Sequence, residues 1–367
     1  MEKSSRQKRE AFATKISAVL NSSALNLALA IGYRTGLLDA MDQIDTPAPA
    51  SRIAETSGLD ERYVREWLGV MACGEIIELS LDESGESLFF LPREHGDLIT
   101  RRSGNANLGV YTQEIPLLTS CAYDAVAENF SSGEGIGYQN YPKFQAFMSQ
   151  LANAKHRQVL VSQFLPSIEE GRLIERLRTG IRVCDLGCAE GIAVMLMAEA
   201  YPNSEFVGID MLSDIIKKAT ADAARMNLKN TTFLPLDAAT LHADSELHES
   251  FDYVTAFDAI HDQSRPQAAL NGVYSILKPG GRFSMIDIAA SSRLSENMTH
   301  AMGPFLYTVS LMHCMPVGLV NGGSGLGMMW GRQKAESMLG SAGFKMIRVL
   351  DIPGDPFNFH FFCRKPQ

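Results

Sequence analysis

The sequence has 367 residues, of which 46% are hydrophobic and 20% are charged. A chain of this size can bury a large core, and its length favours two domains over one. No apolar run approaches the roughly 18 residues that a membrane span needs, and the charged N-terminus does not resemble a secretory signal. Six scattered cysteines fit a reducing compartment. We therefore expect a soluble, cytoplasmic protein that does not associate with membranes.

The first hundred residues are predicted to form a winged-helix-like domain. Residues 5–45 are dense in apolar side chains and predict helix. Residues 51–57 and 60–73 predict two short helices joined by a glycine turn. Two apolar runs, 76–79 and 88–91, flank a polar turn and predict a two-stranded wing.

Charge argues against nucleic-acid binding by this domain. Residues 1–100 hold 10 Lys/Arg and 16 Asp/Glu, a net charge of -6, within a chain whose net charge is -9. The second helix of the predicted motif is also more acidic than basic, whereas phosphate binding needs the opposite balance. We expect the domain to serve dimerisation or substrate gating, with the apolar opening helix as the contact of a homodimer.

The remaining chain predicts a helical segment, residues 101–167, followed by an α/β domain, residues 168–367. In the α/β domain short apolar runs alternate with helical patterns, which is typical of a parallel sheet covered on both faces. Residues 344–351 and 358–364 predict a terminal antiparallel hairpin with its turn at 353–356. An irregular, Met-rich insertion at about 289–331 is expected to form a substrate wall. The predicted strands before the hairpin are 181–185, 205–210, 232–236, 251–257 and 282–287.

The first strand-to-helix turn of this domain carries the strongest signal. The strand ends at Asp185, and a loop with Gly187, Ala189 and Gly191 then opens a helix. Small residues let a ligand approach the backbone, and the helix N-terminus offers free N–H groups. A dinucleotide-binding turn would need glycine at 189 and 192, and it has no need of the preceding acid. A sulfonium cofactor with an amino-acid tail does, because Asp185 can bind its ammonium group directly or through water.

Two further acids follow the next strands. Asp210 ends the second strand, where a carboxylate can accept hydrogen bonds from both ribose hydroxyls, a role that NAD-binding folds share. Asp237 follows the third strand, where it can accept a hydrogen bond from an adenine amino group. The sequence therefore predicts that three carboxylates converge on one adenosyl ligand.

These residues resemble the class I S-adenosylmethionine (SAM)-dependent methyltransferases over about residues 165–367. The family's glycine-rich motif matches with Ala189 in place of its middle glycine, and residues 251–258 and 277–282 match two later motifs. The resemblance implies a Rossmann-like seven-stranded sheet with a terminal antiparallel hairpin, and SAM as cofactor with S-adenosylhomocysteine as product. It implies a cofactor site made of Asp185, Gly187, Cys188, Gly191, Asp210, Met211, Asp237, Ala238, Phe257 and Asp258.

The whole chain resembles the group of this family in which a winged-helix-like dimerisation module precedes the catalytic domain. Residues 261–266 and 311–317 are similar to a poorly characterised group of small-molecule methyltransferases. The resemblance does not name the methyl acceptor, which we expect to be a small, partly apolar molecule.

His261 and His313 are the candidate catalytic residues. Transfer from a sulfonium mainly requires alignment, and a base is needed only when the nucleophile must lose a proton. Either histidine could supply that base, and either could instead be structural. His261, His300, His313 and Cys314 show neither metal-site spacing nor a local cluster, so we expect no metal. The candidate acceptor-site residues are Tyr138, His261, Tyr307, His313, Met315 and Trp330.

The sequence thus predicts a methyltransferase that acts at oxygen, nitrogen or sulfur. Three alternatives remain at this stage. An NAD(P)-dependent oxidoreductase would leave Asp185, Asp237 and the terminal hairpin unexplained. A SAM-sensing winged-helix regulator would need DNA affinity that the acidic N-terminal domain does not favour. A protein that binds SAM without catalysis is the third alternative. Ala189, which replaces the middle glycine of the family motif, is the one departure in the loop that would favour it.

Overall fold

The structure, a computed structural model, describes residues 4–352 and 355–367. Two of the four residues of the predicted hairpin turn, Pro353 and Gly354, lie outside the described residues. The chain forms two compact units, one up to Leu117 and one from Leu118 onward. The three-part division expected from the sequence, at 100 and 167, stays a prediction.

The first unit contains the predicted winged helix. Strand β1 (Ala48–Pro49) and strand β2 (Glu78–Leu81) flank strand β3 (Ser87–Phe90) in an antiparallel sheet, with the wing shifted by one or two residues from the predicted runs. The Asp60 side chain accepts hydrogen bonds from two backbone N–H groups of the second motif helix and so begins it. The helices are α1 (Ser5–Thr35), α2 (Leu37–Asp42), α3 (Ala50–Ser57), α4 (Glu61–Cys73) and α5 (Arg93–Ile99).

Apolar periodicity explains how these helices pack. Val64, Leu68 and Met71 recur at helical spacing on α4, and all three are buried, as the sequence predicts. Trp67 from the same helix donates its indole N–H to the backbone carbonyl of Ala28 at 2.8 Å and thereby ties α4 to α1. The spacing of the apolar residues therefore determined the core of this unit.

Helix α1 departs from the expectation that no segment is long and apolar enough to cross a membrane. An 18-residue window within Ser5–Thr35 reaches a mean hydropathy of 1.4, and 22% of that window is buried. A core helix of a soluble protein or a signal sequence meets the same criterion, so the finding concerns length and composition alone. The exposed large apolar side chains of α1 are Phe12, Ile16, Val19, Leu20, Leu27 and Ile31.

The second unit is built on a seven-stranded sheet of order β6-β5-β4-β7-β8-β10-β9. The first five of its strands in the chain are parallel, and β10 runs antiparallel to both β8 and β9. The predicted seven-stranded sheet with a terminal antiparallel hairpin is confirmed. The strands are β4 (Arg182–Leu186), β5 (Glu205–Asp210), β6 (Thr231–Pro235), β7 (Phe251–Phe257), β8 (Leu277–Ile288), β9 (Met346–Ile352) and β10 (Asp355–Arg364).

Helices cover the sheet, which is why its central strands are apolar on both faces. The inner residues of β7 and β8, from Tyr253 to Ala256 and from Phe283 to Ile288, are buried almost throughout. The helices are α6 (Glu114–Ser132), α7 (Pro142–Lys155), α8 (Leu165–Ser167), α9 (Arg172–Thr179), α10 (Ile192–Ala200), α11 (Ser213–Arg225), α12 (Pro266–Ile276), α13 (Leu294–Asn297), α14 (Gly303–Val309), α15 (Met315–Gly318) and α16 (Arg332–Ser341).

Two π-helical segments, residues 156–164 and 310–314, interrupt the helical regions. The second joins α14 to α15 within the Met-rich insertion and carries His313 and Cys314. Local π-helical turns are rare and occur frequently at functional sites.

The sheet order places the candidate site. From β4 the chain adds strands first on one side, as β5 and β6, and then on the other side, beginning with β7. In open α/β sheets, ligands bind beyond the carboxyl ends of the strands at the point where the strand order reverses in this way. Asp185, Asp210 and Asp237 lie at or just after the carboxyl ends of β4, β5 and β6, which are neighbours in the sheet. His261 follows β7 at the same edge.

Candidate active site

Backbone geometry shapes the loop after β4. The N–H groups of Gly187 and Cys188 both donate to the Ile209 carbonyl, at 2.8 and 3.1 Å, and hold the loop against β5. Gly187 and Gly191 adopt left-handed φ values of +71° and +73°. A Cβ on Gly187 would lie 2.6 Å from the Cβ of Ala259, so both conformation and space require glycine there.

Ala189 occupies the middle position of the motif in a left-handed conformation, with φ +45°. Its N–H donates to Asp210 Oδ2 at 3.1 Å, so the strained residue is held by a charge-assisted hydrogen bond. A left-handed φ costs a non-glycine residue about 1–2 kcal/mol. Backbone strain is therefore the local cost of alanine at this position.

Asp185 is buried, with a relative exposure of 3%, and accepts a hydrogen bond of 2.6 Å from the Thr255 hydroxyl. Burial raises its pKa to about 7, the Thr255 hydrogen bond lowers it, and the nearby Asp210 carboxylate raises it further. The Asp185 carboxyl group can therefore release its proton and become negatively charged when a cation binds beside it.

Asp210 ends β5, and Met211 follows it. The Asp210 Oδ1 atom accepts a hydrogen bond from the Leu212 N–H at 2.9 Å, and its Oδ2 accepts from Ala189. The carboxylate therefore connects the loop after β4 to the turn after β5. Burial raises its pKa. Met211 is 58% exposed, which is unusual for methionine and leaves an apolar surface beside the carboxylate.

Asp237 begins the 3-10 helix that follows β6. Its Oδ1 accepts from the Ala239 N–H at 2.9 Å, and its Oδ2 pairs with Arg265 at 2.6 Å. Ala238, between them, is buried. An adenine amino group at Asp237 would therefore compete with the half-exposed Arg265 guanidinium, a partner that sequence reasoning did not identify.

Phe257 ends β7, and Asp258 follows it. The Phe257 ring lies edge-on to the His156 ring, with centroids 4.8 Å apart. The Asp258 carboxylate accepts a hydrogen bond from Asn358 at 2.7 Å, which connects the edge of β7 to β10. His156 lies on the first π-helical segment, which places that segment against the strand end.

His261 lies among buried acids. Its Nδ1 is 2.8 Å from Asp287 Oδ1, and its Nε2 is 3.5 Å from Asp262 Oδ1. Trp330 donates its indole N–H to the same Asp287 oxygen at 3.0 Å. Burial disfavours the charged ring, but the carboxylates of Asp287 and Asp262 outweigh it and raise the pKa of His261 well above its usual value. A protonated ring has no lone pair for a second proton, which argues against His261 as a free base.

His313 has the opposite environment. Its ring lies among Tyr138, Tyr141 and Phe144, with centroids 5.9, 4.8 and 4.9 Å away. Burial lowers its pKa, and its Nε2 is buried without a hydrogen-bond partner among the described residues. Tyr138 donates to Asp262 Oδ2 at 3.2 Å and so connects the two histidine environments.

The structure brings together some predicted acceptor residues and separates others. Tyr138, His261, His313 and Trp330 belong to one connected cluster through the contacts above. Tyr307 packs in a different apolar cluster, and its hydroxyl accepts a hydrogen bond from Asn297 at 3.0 Å. Half-buried Met315 packs against the glycine turn at 325–327.

Sequence reasoning did not assign Thr255, Arg265, Asp262 or Asp287 to the site. Asp287 could have been found, because a carboxylate inside the apolar run of β8 must have a buried partner. The others depend on contacts between residues far apart in the chain. The sequence predicted no local His/Cys cluster, whereas in space His261, Asp262 and Cys314 meet.

The comparisons with known proteins agree with this architecture. Residues 177–335 match the family profile described as a methyltransferase domain, and residues 23–101 match the Rv2258c-like winged HTH domain. The human N-acetylserotonin methyltransferase structure, in complex with SAM, is 15% identical, covers 100% of both chains and gives a TM-score of 0.63. The mitomycin 7-O-methyltransferase structure is 15% identical, covers 97% of this chain and 99% of its own, and gives a TM-score of 0.65.

Curated relatives also match in sequence. Demethylmenaquinone methyltransferase of Listeria welshimeri is 23% identical over 54% of this chain and 85% of its own length. Ubiquinone biosynthesis O-methyltransferase of Psychrobacter arcticus is 29% identical over 31% of this chain and 44% of its own. Arsenite methyltransferase of Halobacterium salinarum is 25% identical over 46% of this chain and 39% of its own. The chain thus spans less than half the length of the latter two.

Fold, motif and family profiles define a methyltransferase domain that follows a winged helix–turn–helix domain. The chain contains a methyltransferase domain of the SAM-dependent type over residues 177–335. This assignment confirms the predicted enzyme class and cofactor.

Proposed function

We propose that the protein transfers the methyl group of SAM to a heteroatom, oxygen first among the alternatives, of a small, partly apolar acceptor. The observation that carries the proposal is the alignment of Asp185, Asp210 and Asp237 at the ends of three adjacent strands beside the Gly187–Gly191 loop. In this arrangement Asp185 faces the ammonium group, Asp210 the ribose and Asp237 the adenine. The names of two relatives that methylate oxygen support the choice of heteroatom.

The cluster around His313 supports an acceptor site on the other side of the methyl group. Aromatic side chains at 138, 141 and 144 surround the His313 ring at interplanar angles of 56°, 80° and 55°, and such an aromatic environment suits an acceptor with a planar ring. The free Nε2 of His313 is available to accept a hydrogen bond from the acceptor hydroxyl. His261, held by Asp287 and Asp262, is assigned a positioning role.

A screen with isotopically labelled SAM and pooled metabolites tests this function. We expect one class of acceptor to gain the label and S-adenosylhomocysteine to form in equal amount. Complete absence of SAM and S-adenosylhomocysteine binding in a calorimeter at millimolar ligand would end the proposal. Binding without any transfer would instead leave the non-catalytic alternative.

The His313→Ala variant is expected to lower kcat/KM for the identified acceptor by about 100-fold or more, since a positioned proton acceptor contributes about 10²- to 10⁴-fold. SAM affinity should stay within about twofold, because His313 contacts the acceptor side alone. Steady-state kinetics and calorimetry measure the two quantities. The exposed His248→Ala is the matched control, and full turnover by both His261→Ala and His313→Ala would favour alignment without a base.

SAM affinity is expected to rise with pH up to about 7 and then level off. Below that pH Asp185 carries a proton, because its pKa is about 7 in the free protein. The SAM ammonium binds the carboxylate form, so binding below pH 7 must release a proton. Calorimetry in two buffers of different ionisation enthalpy measures that proton. Thr255→Val, which removes a hydrogen bond that lowers this pKa, should move the plateau to higher pH, and a pH-independent affinity would contradict the role of Asp185.

The homodimer is proposed to form through the exposed apolar face of α1. At 100° per residue, Phe12, Ile16 and Leu20 lie on one side of the helix and Thr14 lies opposite. We expect Leu20→Glu to convert a dimer into a monomer in light scattering, whereas Thr14→Glu should leave the mass unchanged. A wild-type protein that is monomeric at micromolar concentration, or that binds lipid vesicles through this face, would refute the dimer contact.

We also propose that the winged domain binds no nucleic acid. Its net charge over residues 1–100 is -6, and a negative surface repels phosphate groups. The motif helix α4 presents Arg62 and Arg65, and both are paired with glutamates one turn away. The SAM-sensing regulator therefore ranks below the enzyme. A salt-sensitive DNA affinity of the full chain would reverse that order.

A further inference from the structure

Three potential metal-ligating atoms meet beside the acceptor site. One potential ligand atom each of His261, Asp262 and Cys314 lies within 4.8 Å of the other two, and His261 Nε2 is 3.5 Å from Asp262 Oδ1. His261 and Asp262 follow β7, whereas Cys314 comes from the π-helical segment of the insertion. We propose that these three side chains bind a divalent metal ion of the zinc type, with a fourth coordination position left open.

The donor set and its spacing fit zinc. Zinc prefers nitrogen and sulfur ligands with carboxylate oxygen, and three protein ligands with one open position are typical of its catalytic sites. At zinc–ligand distances of about 2.0–2.3 Å, tetrahedral ligand atoms lie about 3.4–3.6 Å apart. The Nε2 to Oδ1 distance of 3.5 Å already meets this requirement. The sulfur lies within 4.8 Å of the other ligand atoms and needs to approach by about 1.4 Å at most to complete the set.

The surroundings of His261 match those of a metal-bound histidine. Such a ring usually gives its other N–H to a carboxylate, which fixes the ring orientation. Here Nδ1 donates to Asp287 at 2.8 Å, and Trp330 fixes the same oxygen from the opposite side at 3.0 Å. Nδ1 is therefore already in use, which leaves Nε2 as the atom that can bind a metal after it has released its proton.

The two carboxylates of the cluster are only partly paired. Asp287 is buried and Asp262 is half-buried, and within residues 4–352 and 355–367 the one basic side chain paired with either is His261. Asp262 Oδ1 and Asp287 Oδ2 accept no hydrogen bond from any described residue. Buried unpaired acceptors and charges are costly. A dication between Asp262, His261 and Cys314 would occupy the free Asp262 oxygen, and it would replace the protons that His261 Nε2 and the Cys314 thiol release when they become ligands.

The open position would take a water molecule or the oxygen, nitrogen or sulfur of the acceptor. A bound metal favours the deprotonated form of such a ligand, and it would orient the nucleophile toward the methyl group. This use of the metal rests on the proposed function, whereas metal binding itself does not.

Elemental analysis of the full-length protein, purified without chelators, is the first test, and we expect about one zinc ion per chain. The metal-free protein is then titrated with Co²⁺. Saturable visible bands of tetrahedral Co²⁺ and a near-ultraviolet sulfur-to-cobalt charge-transfer band are expected. Cys314→Ser should lose the charge-transfer band, while Cys363→Ser, which changes another buried cysteine, should keep it. Asp287→Asn should weaken Co²⁺ binding by about 10- to 100-fold.

SAM affinity and thermal unfolding of each sample show whether a variant is folded. If Cys314→Ser does not fold, Asp262→Asn and the wild-type titration decide the question. A folded wild-type protein without saturable Co²⁺ bands, or a Cys314→Ser variant with an unchanged charge-transfer band, overturns the metal site. SAM binding is measured separately on the metal-free protein. Its absence would count against the methyltransferase proposal, whereas methyl transfer by a protein that binds no Co²⁺ would refute the metal site alone.

Discussion

The Asp210→Ala variant is expected to raise the dissociation constant of SAM by about 100-fold or more. A hydrogen bond to a charged group contributes about 1.5–3 kcal/mol, and the carboxylate would lose two such bonds to the ribose. Each 1.4 kcal/mol changes the constant about tenfold. The variant also removes the acceptor of the Ala189 and Leu212 N–H groups, so the loop that receives the cofactor loses its anchor.

Isothermal titration calorimetry with SAM and S-adenosylhomocysteine measures this effect. Asp214→Ala is the matched control, because that carboxylate lies four residues away with 94% of its side chain exposed. The control should bind SAM with nearly wild-type affinity. A folded Asp210→Ala variant with unchanged affinity would show that the ribose lies elsewhere.

The Gly191→Val variant is expected to lower the free energy of unfolding by about 2–5 kcal/mol and to abolish measurable SAM binding. The left-handed φ of +73° costs a side chain about 1–2 kcal/mol, and a β-branched residue suffers most. A new Cβ would also lie 2.8 Å from Phe233 Cζ, and overpacking of this kind costs about 1–3 kcal/mol. Either backbone movement or displacement of Phe233 would deform the start of α10.

Denaturant unfolding and SAM calorimetry on the same preparation measure both effects. Gly133→Val separates the two causes, because Gly133 has a φ of +71° and a Cβ added there would meet nothing within 4 Å. This control should lose about 1–2 kcal/mol and retain SAM affinity. Equal destabilisation of the two variants would mean that crowding at Phe233 contributes nothing.

Local sequence patterns predicted the order of the helices and strands and the strand that the cofactor motif follows. Apolar runs with period-breaking turns defined the strands, because a strand covered on both faces must be apolar along its length. The largest shift lies in β8, which begins at Leu277 where the pattern indicated 282. There the Pro279–Gly281 turn was treated as a break, although backbone pairing continues past it.

Local patterns also identified Asp185, Asp210 and Asp237 as neighbours. All three acids lie at or just after the ends of parallel strands, and parallel strand ends share one edge of the sheet. The patterns did not show which side chains already bind two of these carboxylates. Thr255 hydrogen-bonds to Asp185 and Arg265 pairs with Asp237, and neither contact has a sequence period.

The acceptor side was decided by the tertiary structure. The insertion that carries His313 and Cys314 has no regular apolar period, so its path over the sheet does not follow from spacing. The structure also gave the two histidines opposite environments, since carboxylates surround His261 and aromatic rings surround His313.

The sequence by itself therefore determined two features of the chain, an acidic winged helix and a parallel sheet whose strand ends carry three carboxylates. Both features follow from composition, from the helical period of 3.6 residues and from continuous apolar runs, which strands covered on both faces require. The tertiary structure alone decided that Cys314 meets His261 and Asp262, and that His313 keeps a free nitrogen. Such contacts depend on how an irregular segment packs, and the packing energy is shared among many residues distant in the chain.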